Sequence, residues 1–207
     1  MSAVQLIGLA ASLSLLAGWR LYACVLATGL AMRFGWLQLP TQVHALAVLA
    51  NPWVIGVAAL GTAAEFFADK VPWLDSLWDG VHTLIRPAGG AVLALAVVDP
   101  SSPTWQVIVL LLGGSAALLS HTAKAGTRAV ANVSPEPFSN LVLSSTEDVV
   151  STGGLLLVLS HPALAIVVAL VLLVVVIAAL VLAWRIIGSL RRMLARRSKA
   201  PDAVSSP

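Results

Sequence analysis

The sequence predicts an all-α, polytopic membrane protein, and three observations carry that prediction. Of its 207 residues, 59% are hydrophobic and only 10% charged, with a mean hydropathy of +0.96. Soluble domains carry roughly a quarter charged residues, so this chain cannot clothe a water-facing surface. The apolar residues are gathered into runs close to the ~20 residues that cross a hydrocarbon core as a helix. Lys and Arg also collect behind the last run, at Arg191, Arg192, Arg196, Arg197 and Lys199, where a cytoplasmic anchor belongs. The net charge of +3 and pI near 9.6 come from that placement, not from a basic patch, so no nucleic-acid partner is expected.

Six spans are predicted in order. The first covers residues 4–32; it holds Arg20 close to Gly18, and it lacks a basic start and outruns a signal peptide, so it reads as a retained helix. The second begins at Ala45 or Pro52 and ends at Lys70. The others cover 81–98, 105–124, 141–160 and 162–190, with tight turns expected at 99–103 and at Ser160-His161-Pro162. Residues 1–198 then form one transmembrane domain, followed by a disordered cytoplasmic tail at 199–207. Six crossings put both termini in the cytoplasm of a bacterial cell, bounded by its plasma membrane. The connections after Lys70 and Arg128 share that side, and Arg33 lies outside. Seven tryptophans fall mostly near segment ends, as an interfacial belt requires.

The third and fifth spans are unusual, being polar or interrupted. Gly89-Gly90 divides the third, and the fifth carries Glu147 and Asp148 before Gly153-Gly154. Spans two and three (55–98) and spans four and five (107–159) therefore read as a weak two-fold internal repeat of parallel topology. Interrupted segments at matching places in two halves mark transport sites. Double glycines also serve simply to let helices approach closely.

The charges inside these spans are the candidate chemistry. Ionisable side chains at membrane depth are costly, so they pair, line water or do work. Arg20, Glu65, Asp69, Lys70, Arg86, Lys124, Arg128, Glu147 and Asp148 are the residues expected to line an ion or substrate path. Glu65 and Asp69 are one helical turn apart, as are Lys124 and Arg128, so the pairs can meet across two helices. Arg20 is expected to face Glu147, Asp148 or Glu65, either as a counter-ion site or as a structural ion pair. Asp75, Asp79, His82 and Arg86 fall at i, i+4, i+7 and i+11, one stripe of one helix. With His121 from the second repeat, Asp75, Asp79 and His82 have the ligand types for a divalent metal. A polar stripe on an interfacial helix has the same spacing without a metal. Cys24 is the lone cysteine, so no intrachain disulfide or thiolate cluster forms. No phosphate loop, His-Glu-x-x-His or nucleophile elbow occurs, so soluble-type catalysis lacks its signatures.

The string Glu65-x-x-x-Asp69-Lys70-x-Pro72-x-x-Asp75-x-x-x-Asp79-x-x-His82-x-x-x-Arg86-Pro87-x-x-Gly90 resembles a bacterial membrane family, domain of unknown function 4126. Gly18-x-Arg20, His121-x-x-Lys124-x-x-x-Arg128 and Ser145-x-Glu147-Asp148 extend the resemblance across the first five spans. It implies a small multi-helix membrane protein and brings no activity with it.

Three functions are therefore weighed. The first is a transporter or channel-like protein for an ion or small solute, in the bilayer and in a homo-oligomer, with no resident cofactor. The second is an accessory protein whose buried charges fasten helices. The third is a metal-dependent membrane enzyme or lipid-handling protein built on the Asp75/Asp79/His82 stripe.

Overall fold

Helices account for the structure, because a chain this apolar has no water to satisfy its backbone and must do so internally. The computed structural model describes residues 1–38, 41–97, 102–131 and 137–198, and these contain no strand. Residues 99–101 of the expected turn and the whole expected tail lie outside them. The helices are α1 (Ala3–Arg33), α2 (Pro52–Ala68), α3 (Pro72–Leu95), α4 (Pro103–Ala131), α5 (Pro137–Ser160) and α6 (Ala165–Ser198). A 3-10 stretch, Thr41–Ala50, precedes α2. Proline opens α2, α3, α4 and α5, where its missing N–H is no loss and its fixed φ is already helical. Ser2 and Gln5 cap α1 reciprocally, and Asn51 caps α2 through the Trp53 amide.

Four of these segments are long and apolar enough to cross a bilayer: Ala3–Arg33, Pro103–Ala131, Leu141–Ser160 and Pro162–Met193. A fifth arises if His44–Ala50 and Pro52–Ala68, bent by 69° at their junction, act together. The sixth expected span, α3, does not qualify; its polar stripe lowers its hydropathy.

Helix α1 is the core, packing against all five other helices. It is broken at Arg20, whose φ of −142° and ψ of 71° are not helical. Beyond the break the chain folds back. Leu13, before Arg20, and Cys24, Val25 and Thr28, after it, line one narrow crevice with Leu93 and Leu155. A straight helix would hold Leu13 and Thr28 about 22 Å apart. Along α5, Leu16 lies by Gly154 and the Cys24 thiol reaches the Ser151 carbonyl at 3.9 Å. Arg20 instead bonds Ser144, two turns nearer the start of α5. The two arms of α1 thus form a helical hairpin with Arg20 at its tip.

This corrects the expected interruptions. Helix α3 runs unbroken through Pro87 and Gly89-Gly90, and α5 through Gly153-Gly154. The break lies in α1, where no glycine pair marks it. Gly90 and Gly113 serve close packing: a Cβ on either would press on Ala117 or Ala94. Hydroxyls join the helices there as well. Ser14 donates to the Gly90 carbonyl at 3.1 Å, Ser120 to Leu15 at 2.6 Å and Ser12 to Ala165 at 2.9 Å, the polar glue of membrane bundles.

Candidate functional site

The hairpin tip delivers Arg20 into a buried network of charge. Its guanidinium lies 2.6 Å from Asp69, 3.4 Å from Glu65, 3.5 Å from Glu147 and 3.0 Å from Asp148. It also donates to the Ser144 hydroxyl at 2.7 Å and carbonyl at 3.2 Å. Ser144 in turn donates to Asp69 at 2.9 Å. Helix α2 supplies Glu65 and Asp69 from its last turn and C-cap. Helix α4 supplies Lys124 and Arg128 from its buried stripe of Gly113, Ala117, Ser120, His121, Lys124 and Arg128. Lys124 donates to Glu65 at 2.8 Å, and Arg128 bonds Asp69 at 3.2 Å and Glu147 at 2.9 Å. Asp75 faces Arg128 at 4.0 Å.

A second layer follows through Arg86, which is wholly buried. It bonds Glu65 at 2.5 Å, Asp79 at 3.1 Å and the His121 Nδ1 at 2.6 Å. Because Arg86 can only donate, His121 Nδ1 accepts, and its Nε2 donates to the Asp79 carbonyl at 3.1 Å. His82 Nδ1 donates to the Trp78 carbonyl at 2.7 Å, and its Nε2 lies in hydrogen-bond contact with the Tyr22 hydroxyl at 3.1 Å. Trp78 stacks on that ring at 4.3 Å.

Six carboxylates (Glu65, Asp69, Asp75, Asp79, Glu147, Asp148) thus meet four fixed cations (Arg20, Arg86, Lys124, Arg128). Those six are drawn from only nine acidic residues in the chain. Five of the six side chains are at most 8% exposed; Asp148 is 37% exposed. Such a site holds and redistributes charge at low dielectric, where an unbalanced carboxylate is costly.

Of the residues expected from sequence, Arg20, Glu65, Asp69, Arg86, Lys124, Arg128, Glu147 and Asp148 are brought together. Lys70 is not: it is exposed, its ammonium 3.4 Å above the Phe66 ring. The stripe Asp75, Asp79, His82 and Arg86 is buried and faces the bundle rather than headgroups. His82 and His121 spend their nitrogens on other partners, and among the described residues no group of three His, Cys, Asp or Glu side chains has a metal-site arrangement. A cavity of about 320 Å³ lies away from the charges, lined by apolar residues such as Ala10, Val97, Trp105 and Leu112.

Sequence reasoning missed Ser144, Tyr22 and Trp78. The signal for Ser144 was spacing. Ser144, Glu147, Ser151, Leu155 and Val158 form one buried stripe on α5, so its polar side points inward, opposite to a soluble helix. Ser145, quoted in the motif, is exposed.

Fold and site together define a helical membrane protein with an internal charge network. The chain belongs to the family described as Domain of unknown function (DUF4126), whose family model matches residues 7–182. That range contains every member of the network. No curated protein and no solved structure matches the chain.

Proposed function

We propose that this protein is a small transporter that moves a cation, in the first instance a proton, through the network around Arg20. One observation carries the reading: six carboxylates, five of them buried, against four cations at the tip of a broken helix. Full ionisation would leave the network net negative, with at least one uncompensated charge inside the bundle, which low dielectric strongly disfavours. Protons or a bound cation complete the balance, and Glu65 and Glu147 are the carboxylates best placed to exchange them. Glu65 touches cations from three helices and Glu147 from two, so protonation of either loosens several contacts at once. Non-helical backbone is tolerated at membrane depth where it is enclosed by protein or lines a path, as at the α1 tip.

The test is flux in liposomes containing the purified protein and a pH-sensitive dye, under imposed ion gradients. Glu65→Gln and Glu147→Gln are expected to abolish the flux while the protein stays monodisperse. Unchanged flux in both variants would remove this role.

A second reading, an accessory protein fastened by ion pairs, is favoured by the pairing itself. Every cation of the network has a carboxylate within 4.0 Å. It predicts that apolar replacement of both Arg86 and Glu65 restores the stability lost when Arg86 alone is removed.

For topology, the proposal is five crossings by α2 to α6, with α1 as a re-entrant hairpin entering from the face where α6 begins. Gly8 of α1 packs on Ala165 and Ile166, so the starts of α1 and α6 share a face. From Ala165 to Trp184 is about 28 Å of helix, one hydrocarbon thickness, and the arginines follow. In this proposal Lys70, Arg128, Arg191 and Arg192 share the other face, the cytoplasmic side of a plasma membrane.

A further inference from the structure

Asp148 stands apart in the network. At 37%, its side chain is the exposed member of a set otherwise at most 8% exposed, yet its carboxylate sits 3.0 Å from the Arg20 Nε at the hairpin tip. Hydrocarbon against a partly exposed carboxylate is unfavourable; charged groups at this depth face water or protein. The neighbouring residues show which. Ser145 is exposed and Thr152 half-buried, and with Asp148 they fall at i, i+3 and i+7, one polar edge along α5. Beside that edge, the apolar face of α5 presents Val142 and Val149, which are 49% and 72% exposed. Helix α5 leans mainly on α1 and only lightly on α4 and α6, so its polar edge is not covered by a tightly packed neighbour. The edge starts at the level of Arg20, which bonds Ser144 and meets Asp148, on the half of α5 nearer its start, which is also the side of Arg128.

We propose that this edge lines a water-filled crevice, and that Asp148 is the site where the network exchanges protons with water. The charged groups facing it are Arg20 of α1, Glu65 and Asp69 of α2 through Arg20, and Glu147 of α5, with Lys124 and Arg128 of α4 beyond Glu147. A proton taken from water by Asp148 weakens its hold on Arg20. The guanidinium then shifts its weight to Asp69 and Glu147, and the charge change reaches Glu65 and Lys124 without any of those groups meeting solvent. The inference deepens the transport reading and rests on it for the use made of the proton. The crevice itself is tested independently of any flux.

The experiment uses the full-length chain in membrane vesicles of both orientations. In a Cys24→Ser background, which keeps a hydroxyl near the Ser151 carbonyl, Ser145→Cys and Val149→Cys are exposed to a charged, membrane-impermeant maleimide. Only a hydrated thiol ionises and reacts. Ser145→Cys is expected to react about ten-fold faster than Val149→Cys, and faster from the face bearing the basic tail. Equal rates, faster reaction at Val149→Cys, or none at Ser145→Cys would overturn the crevice. A hydrophobic carbodiimide, which adds to protonated carboxyls, should then modify Asp148 increasingly as pH falls, with the adduct absent in Asp148→Asn. No adduct on Asp148 at any pH would overturn the proton-exchange role. A protein with the crevice and the adduct but no flux would retire the transport reading alone.

Discussion

Most buried charges here are held by two or more partners, so the cost of losing one depends on what it leaves behind. Arg86 is wholly buried and bonded to Glu65, Asp79 and His121. Arg86→Met strips Asp79 of its cation and Glu65 of one of three, and should cost about 3–5 kcal/mol, read as a lower unfolding temperature in detergent. Ser144→Ala removes a neutral link between Arg20 and Asp69 and should cost about 1–3 kcal/mol. Lys70→Ala, by contrast, loses an exposed contact with Phe66 and should change stability by at most about 1 kcal/mol. Nearly all the ionic members of the site were legible in the sequence, because a charge in an apolar run has few places to go. Ser144 was not, since choosing it over Ser145 requires knowing which edge of α5 turns inward. Charge signals its own burial; a hydroxyl does not.

At the scale of the helices, the expected interruptions and the observed one differ for a physical reason. Gly89-Gly90 and Gly153-Gly154 lie in α3 and α5 without breaking them, because i→i−4 bonding needs no side chain and glycine only lowers propensity by about 1 kcal/mol. Arg20 breaks α1 because reaching four carboxylates on α2 and α5 and folding the second arm back over Leu13 are incompatible with helical dihedrals there. That requirement is tertiary, so no local pattern announced it. The glycines still divide sharply by position. A Cβ at Gly18 would press into the Ala117 carbonyl and the Ser120 side chain, whereas nothing lies within 4 Å at Gly56 or Gly153. Gly18→Ala should therefore force α1 and α4 apart and lower the folded yield. Gly56→Ala and Gly153→Ala should be neutral or stabilising by about 0.5–1 kcal/mol. Thermal unfolding of the three variants side by side checks this; a Gly18→Ala protein as stable as the others would mean the two helices are not in close contact.

For the molecule as a whole, the sequence correctly indicated a helical protein with segments apolar enough to cross a membrane. The number of passes was harder, because hydropathy measures whether a segment is apolar and not whether its path is straight. Helix α1 is long and apolar enough to span, at 31 residues, yet its two arms lie back to back. Helix α3 carries its polar stripe inward and reads as too polar, although it runs 24 residues and packs along α1 and α4. Each misleads in the opposite direction, and only α1 changes the parity of the proposed crossings, because α3 is a span in both the six-span and the five-span reading. A six-span chain keeps the start of α1 and the basic end of α6 on one face. A re-entrant α1 followed by five spans separates them, because the start of α1 sits against the start of α6, and α6 then carries Arg191 and Arg192 to the other side. Reporter tags before α1 and after α6, probed with protease in sealed vesicles of known orientation, should be cleaved from opposite faces. A tag in the Lys70 connection should follow the tail, and one beside Arg33 should follow the start of α1. Cleavage of both terminal tags from the same face would restore an even number of crossings. It would also require α1 to straighten, withdrawing Thr28 from Leu13 and leaving the carboxylates of α2 and α5 without the guanidinium they share.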